Sequence, residues 1–123
     1  MSLAVTVAAL SLLQPPVVDE VQIDVAYDEL SAQQNQDAIE RIEANEALDL
    51  DDPARLINLG IAYAREGRVE EARTLFEAAA QSETRYRLET ASGEWVDSRW
   101  LAYRALAMID EGRFESKTRV AAR

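Results

Sequence analysis

Two groups of side chains in this 123-residue sequence have a type and spacing that chemistry could use. Asp49, Asp51 and Asp52 form an acidic cluster of the sort that binds Ca²⁺, and Glu94 and Asp97 flank Trp95 as a carboxylate pair suited to acid/base work. Neither pattern completes. No turn Gly and no closing Glu follow the aspartates at Ca²⁺-loop intervals, and Asp52 stands directly before Pro53, where an aspartate caps a helix. Glu94 and Asp97 fall at a turn and a helix start, where acidic residues are ordinary. His and Cys are absent, which removes Ser-His-Asp arrangements, thiolate nucleophiles, disulfides and Cys/His zinc sites. No G-x-S-x-G, S-x-x-K, G-x-G-x-x-G or Walker sequence occurs, and four scattered Gly make no phosphate cradle. The chain reads as no enzyme, with no cofactor and no metal.

Binding chemistry is better supported. The net charge is −10 and unevenly spread. Residues 1–52 carry twelve acids and one base, Arg41, a net −11, whereas residues 53–123 carry eleven acids and twelve bases, a net +1. An acidic front repels nucleic acid and anionic lipid and steers towards a partner with basic residues. Twelve of the thirteen basic residues are Arg, a composition of bacterial style. Tyr86, Trp95, Trp100 and Tyr103 gather late in the chain. Aromatics serve both cores and binding hot spots, and the expected role of Tyr86 and Trp95 is to pack a hairpin onto the last helices.

The elements that position these residues follow from periodicity. Hydrophobic residues make up 48% of the chain, with only four Gly and three Pro, which suits a mostly α domain. Residues 1–16 form a hydrophobic leader, uncharged over 3–13. Eleven helical residues rise only about 16 Å against a hydrocarbon core of about 30 Å, so no stable membrane span is expected. The length matches the apolar heart of a signal peptide, and export to a periplasmic space is the expectation, with a cytoplasmic location as the alternative. Residues 17–24 are an acidic linker. Within 25–114, helices are expected near 25–32 and over 37–48, and then as a hairpin over 52–80. In that hairpin Asp52-Pro53 starts the first helix and Gly67 ends it. Leu56, Leu59 and Tyr63 mark one core face, and Val69, Ala72, Leu75, Phe76 and Ala79 the other. Residues 85–96 alternate on both sides of Gly93 and predict a β-hairpin, pairing 86–90 with 94–96 and turning Leu88 and either Trp95 or Val96 towards the helices. A last helix over 99–111 comes next, and 115–123 form a polar, basic tail.

Leu56, Leu59-Gly60, Tyr63, Ala72, Phe76 and Ala79 stand at the intervals of the tetratricopeptide repeat, which this stretch resembles. Leu56 stands where Trp is often found, and Thr84 where Pro often closes the repeat. Ala38 and Ile42 precede Ala72 and Phe76 by the same 34 residues. Leu101, Ala105, Met108 and Gly112 follow Leu56, Gly60, Tyr63 and Gly67 at 45 residues, the excess corresponding to the hairpin. The resemblance implies a short array of about two and a half repeats. It also implies a concave groove, lined by the first helices, that holds an extended protein or peptide segment. On this sequence the groove residues would be Ile57, Asn58, Ile61 and Arg65 from one helix, with Arg99 and Tyr103 from another. Asn58 would bond ligand backbone, since an amide donates and accepts together. The Lys/Arg set that clamps a C-terminal carboxylate in chaperone-binding members is not reproduced. The expected function is a non-catalytic adaptor. The alternative is an assembly subunit that completes its stack by homo-oligomerisation or by docking in a larger complex.

Overall fold

Asp52 and Pro53 open the helix on which the fold is centred. The computed structural model describes residues 26–114. The leader, the acidic linker over 17–24 and the basic tail lie outside the described residues. Among the described residues, five helices and a two-stranded sheet follow in chain order: α1 (Tyr27–Ser31), α2 (Asn35–Ala44), α3 (Pro53–Arg65), α4 (Val69–Gln81), β1 (Arg87–Glu89), β2 (Trp95–Asp97) and α5 (Ser98–Asp110). The architecture is therefore mostly α, with a small hairpin before the last helix.

Helix α3 begins as its sequence dictates. The Asp52 carboxylate accepts the Arg55 N–H at 3.0 Å, and Pro53 occupies the first turn, where its missing N–H costs nothing. Eleven of the thirteen α3 residues are buried, and the helix touches each of the other four. A helix buried on all sides is the centre of a domain, not an edge. Its tightest contact is with α4, where the fully buried Phe76 ring lies against Gly60. Phe76 in turn stacks on Phe114, with ring centroids 5.9 Å apart and planes inclined by 20°.

Three helices end in the same way. Gly67 follows α3 at φ 79°, and Gly112 follows α5 at φ 66°. After each, the next residue's N–H returns to a carbonyl inside the helix: Arg68 to Tyr63 at 2.9 Å, and Arg113 to Met108 at 2.9 Å. The glycine N–H groups close the inner ring, on Ala64 at 3.1 Å and Ile109 at 3.0 Å. Gln33 ends α1 with identical bonding, at φ 60° and with Gln34 N–H on Glu29 O at 2.8 Å. The first helical pair therefore makes its turn without a glycine, 34 residues before Gly67.

Helix α2 stops at Ala44, short of the expected residue 48, because Asn45 diverts the chain. Its side-chain oxygen accepts the Ala47 N–H at 3.0 Å, a local bond that competes with the helix ladder. The hairpin forms with Arg87 opposite Asp97, Leu88 opposite Val96 and Glu89 opposite Trp95. Its three-residue loop ends at Gly93, φ 84°, closed by Thr90 N–H on Glu94 O at 2.7 Å. Leu88 is buried and Val96 packs partly against the core, so Val96, not Trp95, is the inward partner. Strand β2 runs directly into α5, and buried Ser98 holds Tyr86 from both sides. Ser98 N–H donates to Tyr86 O at 2.8 Å, and the Ser98 hydroxyl accepts Tyr86 N–H at 3.2 Å.

Candidate interaction surface

The structure does not bring the six groove residues together on an open face. Ile57, Asn58 and Ile61 are buried, Asn58 completely, in the all-round packing of α3. Arg65 donates from Nη1 to Leu30 O at 2.8 Å, tying α3 to the end of α1, and burial pulls its pKa below the ordinary guanidinium value. Arg99 spends Nε and Nη2 on one acceptor, Ser82 O, at 3.1 and 2.6 Å. Ser82 is the C-cap of α4, so this fork closes the negative end of that helix. Of the six, Tyr103 alone is fully on the surface, 60% exposed. The correction has a simple cause: a first helix lines a groove only where its outer face is left uncovered, and α3 is covered.

The carboxylates are equally committed. Asp97 caps α5 by accepting Arg99 N–H at 2.9 Å and Trp100 N–H at 3.4 Å, and its other oxygen accepts Arg85 Nε at 2.5 Å. The Arg85 guanidinium, with help from the two backbone N–H groups, holds the Asp97 carboxyl below the usual carboxylate range. Glu94 is exposed at the loop end, one residue outside β2, whereas the Asp97 carboxylate is taken up by the start of α5 and by Arg85. Asp52 is a cap, and Asp49 and Asp51 are exposed. Among the described residues, no group of three His, Cys, Asp or Glu side chains is gathered to hold a metal.

A linked polar cluster joins α2, α3 and α4. The Tyr63 hydroxyl donates to Glu43, and the Arg68 guanidinium lies 4.2 Å over the Tyr63 ring while forking onto Glu71 at 2.8 and 2.5 Å. Burial raises the Tyr63 pKa, and the Glu43 carboxylate adds to this by accepting its proton and opposing a second negative charge. The cluster staples the α3–α4 turn to α2.

Apart from Leu50, the large apolar side chains left exposed among the described residues are aromatic and fall within residues 86–103. Among the described residues, Tyr86 (51%), Trp95 (59%), Trp100 (52%) and Tyr103 (60%) are four of the five exposed large hydrophobic residues. This reverses the expectation that Tyr86 and Trp95 pack the hairpin. The alternation of β1 and β2 gives the inward places to Leu88 and Val96, which leaves Trp95 on the outer face. On α5, Leu101, Ala102, Ala105 and Met108 face the core, while Trp100, Tyr103, Arg104, Ala107 and Asp110, with Glu111 at the C-cap, form the exposed stripe. The Arg104 guanidinium lies 5.3 Å over the Trp100 ring. Of this stripe the expected groove took only Tyr103, although the i, i+3, i+4 spacing from Trp100 opposite the Leu101–Ala105–Met108 face already marked the rest. Away from it, an open depression of about 540 Å³ lies between the start of α3 and the end of α4, lined by Leu50, Leu56, Ala78 and Thr84 and rimmed by Asp51 and Glu83.

Among the described residues, no helix is long and apolar enough to cross a membrane. No protein-family model, no curated protein and no solved structure matches the chain.

Proposed function

We propose that this chain is a non-catalytic protein-binding module whose working surface is the outer face of α5 together with the hairpin beside it. The observation that carries the reading is the cluster of exposed Tyr86, Trp95, Trp100 and Tyr103 within eighteen residues. Large aromatics left in water cost hydrophobic free energy that a partner recovers, and Trp, Tyr and Arg supply most hot spots. A kinship with tetratricopeptide repeats belongs to the same proposal. It is supported by the 34-residue offset between the equivalent turns at Gln33 and Gly67, and by the buried pairs Ala38 with Ala72 and Ile42 with Phe76 at that offset. The reading moves the binding face from the inner groove to the end of the array. The acidic first half disfavours nucleic acid.

The test is a comparison of partners recovered from native cells by the full chain and by the double variant Trp100→Ser with Tyr103→Ser. Both residues are exposed, so thermal stability stays within about 0.5 kcal/mol while the partner is lost. A variant that keeps every partner of the wild type would sink the reading.

A further inference from the structure

The exposed residues of α5 follow a helix-pairing seam. Trp100, Arg104, Ala107 and Glu111 recur at steps of four, three and four along α5 and its C-cap, and all are exposed. That spacing keeps them on one line of helix surface, the line along which paired helices touch. The positions 45 residues earlier in the middle of the same line on α3 are Leu59 and Ala62, and both are buried. The fold therefore packs helices against this line on α3 and leaves it open on α5.

We infer that the occupant of this seam is α5 of a second copy of the chain, lying antiparallel. The inference rests on the reading of α5 as the binding face, and it names the partner. Charge decides the orientation. Arg104 and Glu111 are two helical turns apart on the seam, with Ala107 between them. A two-fold axis crossing the helices between residues 107 and 108 sets Arg104 of each copy against Glu111 of the other, forming two ion pairs. A parallel arrangement sets Arg104 on Arg104 and Glu111 on Glu111. Ala107 lies beside the axis, where a small side chain lets the two backbones approach. The interface is isologous and closes on itself, so it yields a dimer and no filament. Within its own chain, Glu111 has an exposed contact to Arg113 at 3.3 Å, which exchange for a partner's arginine costs little. One helix face falls short of the roughly 800 Å² per partner of a stable interface, so the dimer is reversible.

The experiment is sedimentation equilibrium of the full chain at about 0.1 M salt, which screens the repulsion between two acidic chains, with Arg104→Glu, Glu111→Arg and the double variant. Circular dichroism checks that each is folded, and an arginine at position 111 suits the negative end of α5. The wild type shows a monomer–dimer equilibrium, each single variant weakens it at least about tenfold, and the double variant, with both pairs reversed, returns most of the loss. A wild type that stays monomeric up to about 1 mM overturns the inference. So does a dimer that the single variants leave unchanged, or a double variant no better than either single one. A photo-crosslinker at position 103, used in native cells, separates the two levels. Capture of a different protein by a chain that is monomeric when purified overturns the second copy and leaves the binding face standing. Capture of nothing by a monomeric chain removes both.

Discussion

Gly60 and Phe76 meet so closely that a β-carbon on Gly60 would lie 2.6 Å from Phe76 Cε1 and 2.9 Å from Cδ1. The ring has no room to retreat, because it is fully buried and stacked on Phe114. Two effects oppose each other in Gly60→Ala. Helix propensity favours alanine by about 1 kcal/mol, and overpacking costs about 1–3 kcal/mol or more when the neighbour is rigid. The contact is with a fully buried ring stacked on Phe114, so overpacking wins, and urea denaturation of Gly60→Ala gives a net loss of about 1–2 kcal/mol. Adding Phe76→Leu frees space at position 60. The double variant then loses less than the sum of the two single losses.

Gln33 carries the opposite defect. It takes the left-handed place that Gly67 and Gly112 fill at the ends of α3 and α5, with the same pair of returning hydrogen bonds. A side chain there is strained, whereas glycine is not. Gln33→Gly is therefore expected to raise stability by about 0.5–1 kcal/mol, read as an increase in the urea midpoint. The equivalent change in the other direction, Gly67→Gln, lowers it by a similar amount or more. A neutral result at both positions would show that these turns do not hold the helical pairs in register.

Asp97 makes the start of α5 sensitive to acid. Its folded pKa lies below the ordinary aspartate value, held there first by Arg85 and then by the capped N–H groups. A depressed carboxyl stabilises the fold fully above the unfolded value of about 3.9, and that contribution is lost as pH falls through the lower folded value. Asp97→Ala loses the cap, at a cost of about 1 kcal/mol at pH 7. Asp97→Asn keeps a capping oxygen but removes the charge, so its deficit against the wild type is constant from pH 7 to about 5 and shrinks below about 4. Thermal melts at closely spaced pH values measure this. A deficit that grows on acidification would contradict the assignment.

How much of the fold and the surface was legible in the sequence depends on where each signal resides. The Asp52-Pro53 start, the Gly67 and Gly112 ends and the Gly93 turn were readable, because each is a local requirement met by a residue with few rivals. The turn at Gln33 was not, since the sequence puts a costly residue where the fold needs glycine. Leu88 and Val96 on one side of the hairpin followed from alternation, but whether Trp95 or Val96 faced inward depended on register, which a loop of three residues sets only once formed. The groove failed for a tertiary reason. Asn58 has the polarity of a surface residue, and no local pattern reports that neighbouring helices close over all sides of α3. The exposed stripe on α5 is the converse, apolar side chains with no helix above them.

Arg99 has the chemistry of a binding residue but spends it inside the fold. Its two donors converge on the Ser82 carbonyl at the end of α4, so its removal acts on stability before it acts on any partner. A hydrogen bond to a charged group contributes about 1.5–3 kcal/mol when buried, and this side chain is partly exposed, so Arg99→Ala costs about 1–2 kcal/mol. Arg99→Lys recovers only part of that, because an ammonium cannot reproduce the planar fork. Tyr103→Ala on the same helix serves as the control, since its exposed ring leaves stability within about 0.5 kcal/mol. Urea denaturation of the three variants orders them, with Arg99→Ala lowest, Arg99→Lys between and Tyr103→Ala at the wild-type level. A stable Arg99→Ala protein that loses partners would return Arg99 to the binding surface and remove it from the α4–α5 junction.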